Sequence, residues 1–145
     1  MEINISDFTL FDLTMGQTDE IKVDVSLEDI DKFAQISGDY SPIHMDASFA
    51  KEQGLKGRIA HGMLIGALVS GFIGTRLPGR YGIMQSMDIG FKNPLVPPDT
   101  IQIKGEVVSI SESVGQVVIK VTISDSKGVH LAIAKVKSVV KKRQL

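Results

Sequence analysis

The chain has no cysteine, no surplus of either charge, and no apolar run long enough to cross a membrane. The missing cysteines exclude disulfides, thiolate nucleophiles and thiolate-bound zinc together. With 16 basic against 17 acidic residues, the formal net charge is -1. Phosphate backbones are held by concentrated positive charge, so no nucleic-acid partner is expected. The most apolar stretch, residues 63–74, falls well short of the roughly 18 residues that a bilayer requires. It belongs inside a protein, and no membrane association is expected. Residues 1–7 are acidic and polar rather than a basic start followed by an apolar run. A cytoplasmic protein without a signal peptide is therefore the expectation.

What remains is an ordinary globular composition, 43% apolar and 23% charged, over 145 residues. That length suits one domain spanning residues 1–145 with a sizeable core. Ile21, Val23 and Val25 alternate with Lys22 and Asp24, the period of a half-buried strand. Ser26 reads as an N-cap, with Glu28 and Asp29 in the first turn of a helix that ends near Ser37–Gly38. A second short helix is expected after Asp46, burying Phe49. Between the two lies Gly38-Asp39-Tyr40-Ser41-Pro42-Ile43-His44, polar, non-periodic and stiffened by Pro42. Such a segment is a natural place for chemistry.

Gly62–Thr75 is the main helix and has no polar face. Leu64, Leu68 and Phe72 lie on one side, Ile65, Val69 and Ile73 on another, and Gly62, Gly66, Ser70 and Gly74 form a line of small residues. Cover on nearly all sides is expected. The remainder alternates as strands around residues 83–91, 101–107, 117–123 and 132–137, with a hairpin turn at Asp125–Gly128. An α+β arrangement follows, a curved antiparallel sheet wrapped around one buried helix. Its open edges favour pairing with a second copy.

Asp39 and His44 offer a carboxylate and an imidazole that could face one water. Addition of water to an α,β-unsaturated thioester needs a proton removed from water and another delivered at Cα. A loop-capping Asp and a backbone-bonded His fit the same pattern. Gly62, at the start of the apolar helix, would offer a free N–H to a thioester oxygen. His61 could start the helix or line the site, and Ser70 could reach the site or bond back to Gly66. A metal at His44, Asp46 and His61 is the competing arrangement, but no tight ligand cluster accompanies it and Asp46 suits a helix cap. No metal and no cofactor are expected.

The run Phe33-Ala34-Gln35-Ile36-Ser37-Gly38-Asp39-Tyr40-Ser41-Pro42-Ile43-His44-Met45-Asp46, then Phe49-Ala50 and Ile59-Ala60-His61-Gly62-Met63-Leu64, resembles the signature of MaoC-like, (R)-specific enoyl-CoA hydratases. Phe91-Lys92-Asn93-Pro94 and Pro98-Asp99 extend the likeness over approximately residues 20–140. The resemblance implies a hot dog fold and a homodimer acting on an acyl-CoA thioester. It implies Asp39 and His44 as the catalytic pair around one water, with Gly62 polarising the thioester carbonyl and Ser70 in support. Met45, Leu64 and Leu68 would shape the acyl pocket, with His61 beside it. One departure is Ser41, where the family loop usually has Asn. A 3-hydroxyacyl-thioester dehydratase acting on an acyl-carrier protein or on a dedicated hydroxyacyl-CoA, a thioesterase and a non-catalytic acyl-thioester binder are the alternatives on the same scaffold. The intact Asp39, His44 and Gly62 set weighs against the last.

Overall fold

A computed structural model describes residues 3–143. Its centre is one five-stranded antiparallel sheet in the order β1-β3-β4-β5-β2. The strands are β1 (Thr18–Val25), β2 (Gly82–Phe91), β3 (Asp99–Ser111), β4 (Gln116–Ser124) and β5 (His130–Val140). The helices are α1 (Leu27–Ser37), α2 (Pro42–Met45), α3 (Ala47–Glu52) and α4 (Gly62–Thr75). The sheet carries α4 on its concave face, which is the hot dog fold.

Alternation decides which side of each strand is wet. In β3, Ile101, Ile103 and Val107 are buried while Lys104 and Glu106 are exposed, and β4 and β5 repeat the pattern around Lys120, Lys135 and Lys137. Against this inner face α4 places Ile65, Val69, Phe72 and Ile73. Gly105 sits in the inward series of β3 because the Phe72 ring lies over it. A Cβ there would stand 2.5 Å from Phe72 Cε1.

The local signals at the helix ends hold. Ser26 Oγ accepts the Asp29 N–H at 3.1 Å while Asp29 Oδ2 accepts the Ser26 N–H at 2.8 Å, a reciprocal cap worth about 1 kcal/mol. Gly38 ends α1 with φ 77°, a left-handed geometry that glycine adopts without strain. Asp46 caps α3 by accepting the Ser48 and Phe49 N–H groups at 2.9 and 3.1 Å. In α3 it is Ala50 that is fully buried, with Phe49 only partly so.

Two expectations need correction. Residues 42–45 are not an irregular loop but the one-turn helix α2, because Pro42 at its first position needs no N–H acceptor and already has helical φ. The helix α4 is also not covered on all sides within the chain. Met63, Ala67, Ser70, Gly71 and Gly74 are exposed along one stripe, so the small-residue line divides into a buried Gly66 and an open Ser70 and Gly74. Sheet and helices together leave both β1 and β2 as edges.

Candidate functional site

The segment Arg58–His61 runs between α3 and α4 and forms a clamp on α2 and on the α1–α2 connection. His44 Nδ1 lies 2.8 Å from the Ile59 carbonyl oxygen, and the Ile59 N–H donates to the Ile43 carbonyl at 3.3 Å. Arg58 Nε donates to the His44 carbonyl at 2.5 Å. His61 Nε2 lies 2.9 Å from the Asp39 carbonyl oxygen. A carbonyl only accepts, so in each ring the nitrogen facing it carries the proton. His44 is thereby fixed with Nδ1–H on Ile59, and its Nε2 is turned toward Asp39.

The Asp39 carboxylate is held from the other side. Ser41 Oγ–H and Ser41 N–H both donate to Asp39 Oδ1, at 2.5 and 3.1 Å. Oδ2 is left 3.8 Å from His44 Nε2. That gap is too long for a hydrogen bond and is suited to one water touching both groups at about 2.8 Å. The two Ser41 bonds hold the Asp39 carboxyl below the usual carboxylate range, with the neighbouring His44 and His61 adding to the effect against burial. Asp39 is accordingly an ionised acceptor at neutral pH.

Gly62 follows directly from the clamp as the first residue of α4, where no carbonyl precedes it in the helix. Among the described residues its N–H has no acceptor. It lines a cavity of about 320 Å³ together with His44, Ile59, Phe91, Asn93 and Leu95. The Phe91 ring crowds this helix start so closely that a Cβ on Gly62 would stand 2.8 Å from Phe91 Cζ. The imidazole and the free N–H thus line one opening, and the carboxylate stands 3.8 Å from the imidazole. Together they can move protons and stabilise a developing oxyanion.

The other residues singled out from sequence fall in different places. His61 is 2% exposed, stacked on His44 with ring centroids 3.9 Å apart, and flanked by Phe33 at 4.9 Å. It is buried behind the pair. Leu64 and Leu68 line a second cavity of about 410 Å³ with Val23, Lys32, Phe33 and Ile36. Ser70 is exposed on the open stripe of α4. Met45 is partly buried, with its sulfur 3.9 Å from Arg58 Nη2. Asp39, His44 and His61 each present one donor atom within 4.8 Å of the others. His44 Nδ1 and His61 Nε2 serve carbonyls, while His44 Nε2 and the buried His61 Nδ1 make no hydrogen bond among the described residues; Asp46, the third member of the metal set considered from sequence, serves as the cap of α3. Sequence reasoning missed Arg58, and it took Phe91 only as part of the family-like run Phe91-Lys92-Asn93-Pro94, not as a neighbour of Gly62. Their partners are 14 or more residues away, Asp31 and His44 for Arg58 and Gly62 for Phe91, and short-range spacing carries no trace of them.

Comparison with known proteins matches residues 12–128 to the MaoC like domain. The chain belongs to the MaoC-like domain family. It is 37% identical over 99 residues to the 3-hydroxybutyryl-CoA dehydratase of Methylorubrum extorquens, covering 68% of this chain and 63% of that one. It is 32% identical over 100 residues to the (R)-specific enoyl-CoA hydratase of Aeromonas caviae, covering 69% and 75%. Among solved structures, the R-hydratase of Pseudomonas aeruginosa superposes with a TM-score of 0.90 at 29% identity, over 97% of this chain and 90% of that one. The sequence match thus spans less than two thirds of the length of the dehydratase relative. In this MaoC-like protein the matched region contains α1 through α4, and with them every group of the clamp.

Proposed function

We propose that this MaoC-like protein is an (R)-specific enoyl-CoA hydratase, adding water reversibly to a trans-2-enoyl-CoA. The observation that carries the reading is the 3.8 Å gap between Asp39 Oδ2 and His44 Nε2, beside the free N–H of Gly62. With the thioester oxygen on the Gly62 N–H, Cβ would meet a water held in that gap. Asp39 takes a proton from the water as its oxygen bonds to Cβ. Charge moves through Cα to the thioester oxygen, where the Gly62 N–H stabilises it; loss of such a donor costs about 3–4 kcal/mol of barrier. The proton taken by Asp39 is relayed through His44 Nε2 to Cα, so that one hydrogen of the water ends on Cα, the other stays on the new hydroxyl, and both side chains return to their starting states. Both additions come from one side of the substrate, because the two groups are neighbours, and hydration is therefore syn. The (R) sense follows the named hydratase relatives. Met45, Leu64, Leu68, His61 and Ser70 remain the candidates for shaping the acyl site, with Ser70 on the face that a second copy would cover.

A homodimer goes with this reading. The edge strand β2 exposes Ile83 (72%) and Met84 (38%) beside the open stripe of α4, a surface that pairing with a second copy would bury. Among the described residues no helix is long and apolar enough to cross a membrane. The reading places the enzyme in the cytoplasm.

The test is to incubate purified protein with trans-2-enoyl-CoA esters and resolve the product on a chiral phase. (R)-3-Hydroxyacyl-CoA alone supports the assignment. Turnover of the enoyl group only when it is attached to a carrier protein would move the activity to the carrier-protein dehydratases, which the mitochondrial relative of Arabidopsis thaliana represents by name.

A further inference from the structure

The one-turn helix α2 carries His44, yet four residues cannot hold a helix by themselves. Its last carbonyls have no partners within the turn, and the backbone bond from Ile59 to Ile43 is long at 3.3 Å. Besides the His44 ring, which bonds the Ile59 carbonyl and stacks on His61, one further side chain fastens the turn to the rest of the molecule. Arg58 is only 16% exposed, and its guanidinium divides between two acceptors: Nε donates to the His44 carbonyl and Nη2 to Asp31 Oδ1 on α1, both at 2.5 Å. The same Nη2 rests on Met45 Sδ at 3.9 Å.

We propose that Arg58 is a positioning residue for the hydration reaction, a strut between α1 and the His44 turn that sets the distance from His44 Nε2 to Asp39. The inference rests on the hydratase reading for its activity measurements. Asp39 follows the C-terminus of α1, and His44 lies on α2. The separation of the two reacting groups therefore depends on how α2 sits against α1, and Arg58 bridges those two elements. It makes no bond to the Asp39 carboxylate and acts through the His44 backbone. An ammonium could not replace it fully. Arginine presents several N–H donors in a fixed planar fork, so one side chain can hold two acceptors in different directions, whereas lysine offers a single point.

A strut of this kind affects the chemical step more than substrate affinity, since a displacement near 1 Å at reacting atoms can cost about 100-fold in rate. Arg58→Gln is expected to lower kcat by about 10- to 100-fold with KM within about threefold of the parent. Arg58→Lys should recover part of that loss. Asp31→Ala, which leaves the His44 bond but frees the far end of the strut, should lower kcat less, and its effect should not add to that of Arg58→Gln.

A second readout is independent of turnover. The His44 Nδ1 proton, shielded by its bond to Ile59, should give a slowly exchanging downfield NMR signal that broadens or disappears in Arg58→Gln and survives in Asp39→Asn. Folded Arg58→Gln with parental kcat and an intact signal overturns the proposal. So does a fall in melting temperature with kcat per folded molecule unchanged. Should Arg58→Gln fail to fold, Asp31→Ala decides: parental kcat and an unchanged signal overturn the strut, and a loss of both supports it. If the parent shows no hydratase activity, the hydratase reading fails, and the NMR comparison alone decides whether Arg58 holds the His44 turn.

Discussion

His61 lies flat against His44, the two rings 3.9 Å apart and 23° from parallel, while its Nε2 proton reaches the backbone carbonyl of Asp39. One buried side chain thus touches both members of the proposed acid–base pair without occupying the gap between them. The stack and the hydrogen bond can be separated by substitution. His61→Phe keeps an aromatic surface for His44 and removes the donor to Asp39; His61→Gln keeps an N–H donor and removes the ring. If holding the Asp39 backbone is the main role, Gln should retain more kcat than Phe, by about 10-fold, roughly the worth of one buried hydrogen bond. Steady-state kinetics of the two folded variants, with circular dichroism to confirm the fold, checks this. The opposite order would assign the role to the stack.

Ser41 gives a pH prediction. Its two bonds lower the Asp39 pKa, so the ionised form needed as a base persists below the usual carboxylate range. The same shift adds stability above the unfolded-state pKa that is lost as pH falls through the lower folded value. Ser41→Ala removes the hydroxyl bond and raises the Asp39 pKa toward its ordinary value. The acid limb of the kcat/KM profile should move to higher pH in the variant, with the neutral-pH rate little changed. A limb that stays in place would separate it from Asp39.

Gly62 was identified from sequence for its N–H, and the structure adds a steric reason. Gly62→Ala directs a methyl group into the Phe91 ring, which lies at 2.8 Å from the added Cβ. Phe91 is half-exposed at the end of β2 and can swing outward, so the variant should fold, with the opening beside the N–H reshaped. A drop in kcat/KM that is partly restored by adding Phe91→Leu would show that the methyl acts through the ring. Kinetics of the single and double variants provide the cycle.

In the core, Gly105→Ala meets Phe72 at 2.5 Å, where the ring is fully buried and cannot retreat. Overpacking of this kind costs about 1–3 kcal/mol, to be read as a lower denaturant midpoint. The same substitution at the exposed Gly71, where an added Cβ meets nothing within 4 Å, should not destabilise.

The sequence revealed the fold where the signal is local and periodic. The bounds of α4, the Ser26 cap and the inward series of β3 through β5 follow from 3.6- and 2-residue periods and from capping chemistry. Pattern alone leaves Asp39 and His44 open between an acid–base pair and a loop cap with a backbone-bonded ring; the resemblance to the hydratase signature is what singles them out together with Gly62. The Arg58–Asp31 pair joins residues 27 apart, and the Phe91 ring reaches Gly62 from another element. Neither contact has a period or a motif, and both exist only once the chain has folded. The open stripe on α4 was hidden for a different reason. Apolar and small residues indicate that a face will be covered, but they do not say whether the cover belongs to the same chain.

The most direct measurement follows the ultraviolet absorbance of the conjugated thioester when a trans-2-enoyl-CoA is mixed with the parent protein and with Asp39→Asn. Asparagine keeps the size of the side chain and can still meet Ser41, but it cannot take the proton from water. The account predicts rapid loss of absorbance with the parent and at least about a 100-fold slower loss with the variant, as expected when a general base is removed. Equal rates in the two proteins would contradict the central claim that Asp39 activates the water.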